Sequence, residues 1–464
     1  MKVFALLLAT LCFAAPASAQ LEDDCRSNGI NGTPSRDRAT TTPSGLASSF
    51  DGIFTFFLRD ALRLAGNPGQ HGDHYLDSSC LAERVLVPSL SNFIAANVTS
   101  FPSSSPQIGV TYDFSTGVPV RQIESLGPIF SETPGTIGKN RLTLGANISV
   151  LTLNTIRGEP LSGAEFNFVH ENIDSSTDLG ESEFERDLLV VRPRLNVDAV
   201  IYGLFANYGI SDQFDVGVAI PVVSLTLEGR AEAEIIAYSG GDPHLHFFDG
   251  DQNDPLLVSD YPYSSSETFV PALDVRAKYQ MGTQGTPLGV IGTLSIPTSG
   301  EGSLLGERDL GARVALVGST TLGTFRPHAN VGYDMRGTEG DADAVQIAVG
   351  LDANLSTQFN LAGALLASVP IEDPIRFFDT EANLGDPGSA IQFVQDVGPG
   401  GSLQRVEEPF STIEDENDTA VLLSLGSRFA PTEKLQGFVN VLIPVVSGGL
   451  QSTLVPTVGL SASL

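Results

Sequence analysis

Tryptophan is missing from this 464-residue chain, so any aromatic belt must be built from its 26 Phe and 9 Tyr. Cysteine is scarce, with 3 in all. Cys12 lies in an apolar leader, which leaves Cys25 and Cys80. Two lone thiols in an exported chain predict a disulfide that staples the N-terminal region, not a metal centre. Basic residues are few: Lys and Arg total 25 against 55 Asp and Glu, a net charge of −30. That balance makes nucleic acid and anionic lipid surfaces poor partners, and no nucleic acid is expected. The acids gather in stretches such as 249–260 and 407–418, which read as a solvated exterior. Beyond the leader there is no apolar run of about 18 residues, so a helical membrane protein is excluded.

The residues of a catalytic centre are missing as well. The chain contains no G-x-S-x-G, and of its six histidines (71, 74, 170, 244, 246 and 328) only His328 falls on a predicted strand. Its alternate neighbours are Arg326 and Asn330, with no serine two residues away to attack a carbonyl. No enzyme and no cofactor are expected. His71, Asp73 and His74 stand in a glycine-rich stretch that offers a metal no rigid frame. Asp249 to Asp254 alternates oxygen ligands like a calcium loop but lacks the sixth-position Gly and the distal Glu. No metal site is predicted.

What the chain does have begins with an export signal. Lys2, the apolar stretch Val3 to Ala15 and the small residues Ala17-Ser18-Ala19 predict a signal peptide over 1–19, cleaved before Gln20. Residues 20–139 form a second segment, polar at first. It carries apolar residues at helical spacing over 50–64 and 81–101, and a hairpin signal at Ser115-Thr116-Gly117. It is expected to be periplasmic or to fill a lumen.

From Leu142 onward one pattern repeats. Leu142, Leu144, Ala146, Ile148 and Val150 alternate with Thr143, Gly145, Asn147 and Ser149. Val345, Ile347, Val349 and Leu351 alternate with Gln346, Gly350 and Asp352, and Leu454, Val458, Leu460, Ala462 and Leu464 repeat the theme at the end. One face suits hydrocarbon and the other a polar interior. Short connectors (209–213, 282–287, 321–324, 356–358, 430–434) alternate with long ones (152–187, 237–266, 299–308, 336–342, 371–417, 446–451). This is the asymmetry of an all-β, antiparallel transmembrane barrel of the bacterial outer membrane, with short periplasmic turns. The count from Leu142 is about twelve strands, within ten to fourteen, so the barrel is predicted over 140–464. Ile220-Pro221, Ile296-Pro297, Val369-Pro370 and Ile443-Pro444 recur at spacings of 76, 73 and 74 and predict places where strands leave regular pairing. The last residues, Thr457-x-Gly459-x-x-Ala462-x-Leu464, match the kind of C-terminal signal that barrel-assembly machinery recognises, with Leu in place of the usual Phe.

The stretches GVTYDFSTG, RQIESLGPIFSE, TIGKNRLTLGANIS and YGISDQFDVGVAIPVV resemble the outer-membrane family labelled "MetA-pathway of phenol degradation", or transporter, over roughly 107–464. That family is distantly similar to long-chain fatty-acid and aromatic-hydrocarbon channels. The resemblance implies a channel for uptake of small hydrophobic or aromatic compounds, with outer-membrane lipid and such solutes as partners. A structural or adhesive surface barrel is the alternative.

Alternation puts Arg194, Asp198, Arg276, Lys278, Arg313, Arg326 and His328 opposite the apolar face, so all seven are predicted to line the lumen. Charges there need partners, and Asp198, Asp274, Asp309 and Asp334 on neighbouring strands are the expected ones.

Overall fold

The computed structural model describes residues 45–64, 75–99, 101, 111–113, 120–122, 126, 128–170, 187–237, 246–251, 253–281, 288–298, 309–336, 342–380, 382–386, 388–397, 403–414, 418–432 and 434–464. The predicted signal peptide, Cys25 and the His71–His74 stretch lie outside them.

Lipid offers the backbone no hydrogen-bond partner, so strands that cross it must close on themselves. They do. Twelve antiparallel strands form a closed barrel: β1 (Leu142–Ile156), β2 (Asn196–Ser211), β3 (Phe214–Ala237), β4 (Ala272–Met281), β5 (Leu288–Pro297), β6 (Gly311–Ser319), β7 (Phe325–Met335), β8 (Ala344–Asn354), β9 (Phe359–Pro370), β10 (Ala420–Phe429), β11 (Leu435–Val446) and β12 (Val455–Ser463). The first and last strands pair to close the ring, with Val458 opposite Ile148 and the hydroxyls of Ser149 and Thr457 2.8 Å apart across the seam.

The faces follow the two-residue period. On β7, Phe325, Val331, Tyr333 and Met335 point out and are exposed, while Arg326, His328 and Asp334 point in and are buried. On β9, Phe359, Leu361, Leu365 and Val369 point out, and Asn360, Ala362, Ala364 and Leu366 point in.

The wall is uneven in height. At 24 residues, β3 is ~80 Å long at about 3.3 Å per residue, far more than an apolar core of ~30 Å requires even for a tilted strand. Its upper half pairs with the strands Asp187–Arg192 and Val258–Phe269, which extend the wall beyond the membrane at the long-loop end.

The recurring prolines mark interruptions of pairing. Pro297 and Pro370 end β5 and β9. Pro444 stands opposite a register shift between Val421 and Leu422 of β10. Pro221 lies inside β3, where the ladder toward the next strand passes from Ala219–Asp274 to Val223–Phe269 and leaves a gap. A residue without an N–H loses nothing there.

The N-terminal segment carries helices α1 (Gly45–Thr55), α2 (Leu76–Leu81) and α3 (Val87–Thr99), with short π turns after α1 and before α3. α2 starts five residues earlier than the apolar spacing predicts. Thr111–Asp113 pairs with Val120–Gln122 around the expected hairpin turn. The helices pack at the long-loop end. Phe54 meets Phe166 and Phe168 with ring centroids 5.9 and 6.0 Å apart, Phe56 meets Tyr261 at 4.8 Å, and Phe93 meets Phe377 at 5.4 Å. The main apolar cluster is therefore a plug of helices, loops and inward-facing strand residues at the outer mouth. The described helices pack on residues of the barrel wall and its long loops. Cys80, on α2, is disulfide-bonded.

Candidate functional site: a lumen segment and an apolar cavity

Two features fill the interior. The first is the stretch 128–141, which is not a strand of the wall. It runs along the inner surface to the short-turn end and there enters β1. Its neighbours are the inward polar residues of distant strands. Arg428 of β10 donates to the carbonyl of Pro128, with its guanidinium 5.4 Å from the centre of the Phe438 ring. The side-chain amide of Asn330 on β7 grips the backbone of Glu132, accepting from its N–H at 3.2 Å and donating to its carbonyl at 2.9 Å.

The Glu132 carboxylate receives Arg276 at 2.8 Å and Lys278 at 2.6 Å, both from β4, and Lys278 also donates to the carbonyl of Thr133 at 3.2 Å. Burial alone would raise the Glu132 pKa. The two cations outweigh it and bring the carboxyl down to about 2.

One residue earlier, Ser131 Oγ lies 2.6 Å from His328 Nε2. The other ring nitrogen faces the carbonyl of Arg326 at 3.3 Å, so Nδ1 carries the proton and Nε2 accepts from the serine. Asp352 stands 3.8 Å from Nδ1, beyond hydrogen-bond reach. Serine, histidine and aspartate are all buried, and this arrangement holds the segment to the wall.

The lower end is tied down by the turn between β2 and β3. Thr136 Oγ1 donates to the Asp212 carbonyl at 2.7 Å, Ile137 N–H to Asp215 Oδ2 at 2.9 Å and Lys139 N–H to Asp212 Oδ1 at 3.1 Å. Gly209 makes this approach possible, because a Cβ there would stand 1.9 Å from the Gly138 carbonyl. TIGKN and YGISDQFD, two of the stretches that carry the family resemblance, are thus in contact.

The seven predicted lumen residues divide. Arg276, Lys278, Arg313, Arg326 and His328 face inward. Arg313 pairs with Asp334 at 2.7 Å, as expected, and Arg326 reaches Ser319 at 3.4 Å. For Arg276 and Lys278 the predicted partners are wrong: their carboxylate is Glu132, from outside the wall. Asp274 instead accepts from Ser295 at 2.7 Å.

The placement of Arg194 and Asp198 needs correction. On β2, Val197, Ala199 and Ile201 are buried while Tyr202, Leu204 and Tyr208 are exposed, so the even-numbered face looks outward. Arg194 pairs with Glu232 at 2.8 Å, both side chains more than two-fifths exposed, and Asp198 accepts from Thr152 at 2.7 Å. Asp198 sits on the outward face of β2, while Arg194 lies in the connection 193–195 that precedes it, with φ 50°, so the alternation of β2 does not reach it. The inner face of β2 is apolar there because it covers the helical plug, and this reverses the usual rule for a barrel strand.

The second feature is a cavity of about 140 Å³ between α3 and the upper wall. Phe93, Leu151, Leu153, Leu366, Leu422 and Val455 supply most of its apolar lining. Behind its lining residues Asp418, Ile375 and Phe93 stands Arg157. It holds Asp418 through two bonds of 2.8 and 2.9 Å, reaches the carbonyls of Glu414 and Ile375, and lies between the rings of Phe93 and Phe377, 5.0 and 5.2 Å from their centres.

The sequence matches no protein-family model and no curated protein. Several solved structures are distantly similar to it. An outer-membrane channel from Pseudomonas putida F1 is 11% identical with a TM-score of 0.38, covering 71% of this chain and 98% of that one. A Pseudomonas aeruginosa FadL homologue is 10% identical with a TM-score of 0.31, over 70% and 90% of the two chains. The monoaromatic hydrocarbon channel CymD is 11% identical with a TM-score of 0.25, over 70% and 89%. By fold, the chain is a closed twelve-stranded antiparallel β-barrel of the outer-membrane kind, plugged from its own N-terminal side.

Proposed function

We propose that this barrel sits in the bacterial outer membrane and lets small hydrophobic or aromatic molecules cross it passively. The observation that supports this reading is the cavity. A dry pocket of about 150 Å³ lined by Leu, Ile and Phe takes up a benzene-sized molecule; this one is of similar size, with Phe93, Leu151, Leu153, Leu366, Leu422 and Val455 giving it an apolar side. A polar-solute porin has no use for an apolar chamber. The wall beside it is also irregular: the β10–β11 register shift, Pro370, Pro444 and the break between Leu450–Ser452 and β12 all border the cavity. Such interruptions offer an apolar solute a way between cavity and lipid. Strand β12 carries the end that assembly machinery is expected to read.

The test is flux of toluene-sized solutes into proteoliposomes. Leu366→Trp, which fills the cavity, is expected to cut that flux at least ~fivefold in a barrel whose heat-modifiable migration is unchanged. If no solute permeates the folded wild-type protein, transport is the wrong reading, and the tall outer wall favours a structural surface barrel.

A further inference from the structure

In the tall outer wall one strand has an open edge. Val258–Phe269 pairs with β3 along its whole length, from Val258 opposite Glu234 to Phe269 opposite Val223, and no strand among the described residues pairs with its other side. Ile235 N–H donates to the Leu257 carbonyl at 2.9 Å, and this fixes the phase of the ladder. Odd-numbered residues bond to β3, so even-numbered ones turn their N–H and C=O away from it. That side is covered only at the base, where Thr298 donates to the carbonyls of Val270 and Pro271. Higher up, Asp260, Pro262, Ser264, Ser266 and Thr268 present their backbone groups to the open edge, and all five residues are exposed. Proline and charged side chains are the usual means of blunting such an edge. Pro262 blunts the upper part, but Ser264, Ser266 and Thr268 below it carry neither device on the outward face.

A second copy in the same membrane does not fit. An axis along the membrane normal brings identical strands together running the same way, with the same even-numbered residues facing each other at equal height. A parallel ladder instead sets each facing residue against one that turns away. Charge indicates what does fit. Beside the edge, Arg230 pairs with Asp260, Arg194 with Glu232 and Arg192 with Glu234. Glu228, exposed and directly across from Ser264, has no cation among the described residues.

We propose that Ser264–Thr268 is a docking edge for an extended segment of another polypeptide outside the cell, one that carries a lysine or arginine for Glu228. The segment adds as a further strand about 4.8 Å away, and its backbone completes the open groups of residues 264, 266 and 268. Its basic side chain reaches over the small Ser264 to a carboxylate ~10 Å away backbone to backbone, two strand spacings, which an extended lysine and glutamate bridge together. The channel reading is independent of this edge.

The probe is a heptapeptide of alternating threonine and valine with lysine at both ends, titrated onto the full-length purified barrel with empty micelles as background. It is expected to bind, and replacing both lysines by glutamate is expected to weaken it roughly tenfold or more. Ser266→Pro removes an edge N–H without touching the bonds to β3, as Pro262 already does on the same strand, and should weaken binding by a similar factor. N-methylation of alternate peptide residues should do the same and needs no change in the barrel, so the proposal stays testable should Ser266→Pro misfold. Glu228→Gln should abolish the advantage of the lysine peptide over the glutamate one. No binding above the micelle background overturns the proposal, as does binding that survives both Ser266→Pro and N-methylation. Dimers of the barrel cross-linked through Ser266→Cys would also overturn it, by giving the edge to a second copy.

Discussion

Ser131 and His328 are 197 positions apart in the chain, yet Oγ and Nε2 lie 2.6 Å from each other inside the barrel. Next to them Glu132 meets Arg276 and Lys278, so two consecutive residues of the lumen segment bind two separate strands. The inward charges of β4 and β7 are therefore fasteners, and a solute path along the axis would have to displace what they hold.

Replacing Glu132 by Gln should loosen the segment and strand two cations in a dry interior. Removing one partner of a buried pair costs about 3–5 kcal/mol. The expected results are a lower unfolding temperature and a larger single-channel conductance in planar bilayers. Arg276→Ala combined with Glu132→Gln should be less damaging than the sum of the two, because both remove the same contact. Arg313→Ala, which touches Asp334, should simply add. A strictly additive Glu132–Arg276 cycle would falsify the latch.

The same carboxylate sets a pH dependence. Its pKa falls from an ordinary 4.5 to about 2 in the folded barrel. A depressed acid contributes stability that is fully present above the ordinary value and is lost as pH falls through the folded one. Thermal stability should therefore be flat with respect to this group above pH 5 and decline between about pH 4.5 and 2. Glu132→Gln should remove that part of the decline. An unchanged acid limb in the variant would assign it to other groups.

Gly350 leaves room for the His328 ring: a Cβ on it would stand 2.2 Å from Nε2. Gly350→Ala should push the imidazole off Ser131 and destabilise the protein by about 1–3 kcal/mol, the usual cost of overpacking. Gly363 on β9, whose nearest neighbour to such a Cβ is 3.6 Å away, should accept Ala with little effect. Chemical denaturation of the two variants compares them directly, and equal stability would mean that the ring has space to move.

The helices sit with the long loops, so exposed Arg59, just past α1, should be reachable from outside the cell. A membrane-impermeant maleimide applied to intact cells is expected to label Arg59→Cys and to leave Gln358→Cys, in a short turn, unlabelled until the outer membrane is opened. The reverse pattern would invert the molecule.

The barrel itself was legible because a membrane strand has one face in hydrocarbon and a two-residue period, and both survive in the letters of β7, β8 and β12. Asp198 shows where that reasoning fails. Periodicity says which residues share a face, not which face is inside. On β2 the inner surface covers apolar helices, so hydrophobicity pointed the wrong way. Glu132 was invisible as a partner because it lies in a stretch with no period at all, and only the closed barrel brings it to Lys278. The cavity did leave a trace: at Val150-Leu151 and Leu365-Leu366 both faces of a strand turn apolar, and Leu151 and Leu366 line it. A membrane strand needs a second apolar face only where the lumen is dry.

The path of residues 128–141 along the inner wall has a consequence for how the protein is made. The chain enters β1 at the short-turn end, yet its helices lie at the opposite mouth. A finished ring would have to swallow Phe50, Phe54 and Phe93 on helices each ~10–12 Å across, through a bore already narrowed by Arg428 and His328. The expected order is the reverse: the leading segment laid down first, the wall curling round it strand by strand, and the joining of Thr457 to Ser149 shutting the seam over an occupant already in place. The first residues described here are thus the last that could be added, and the plug doubles as the form on which its own container is built.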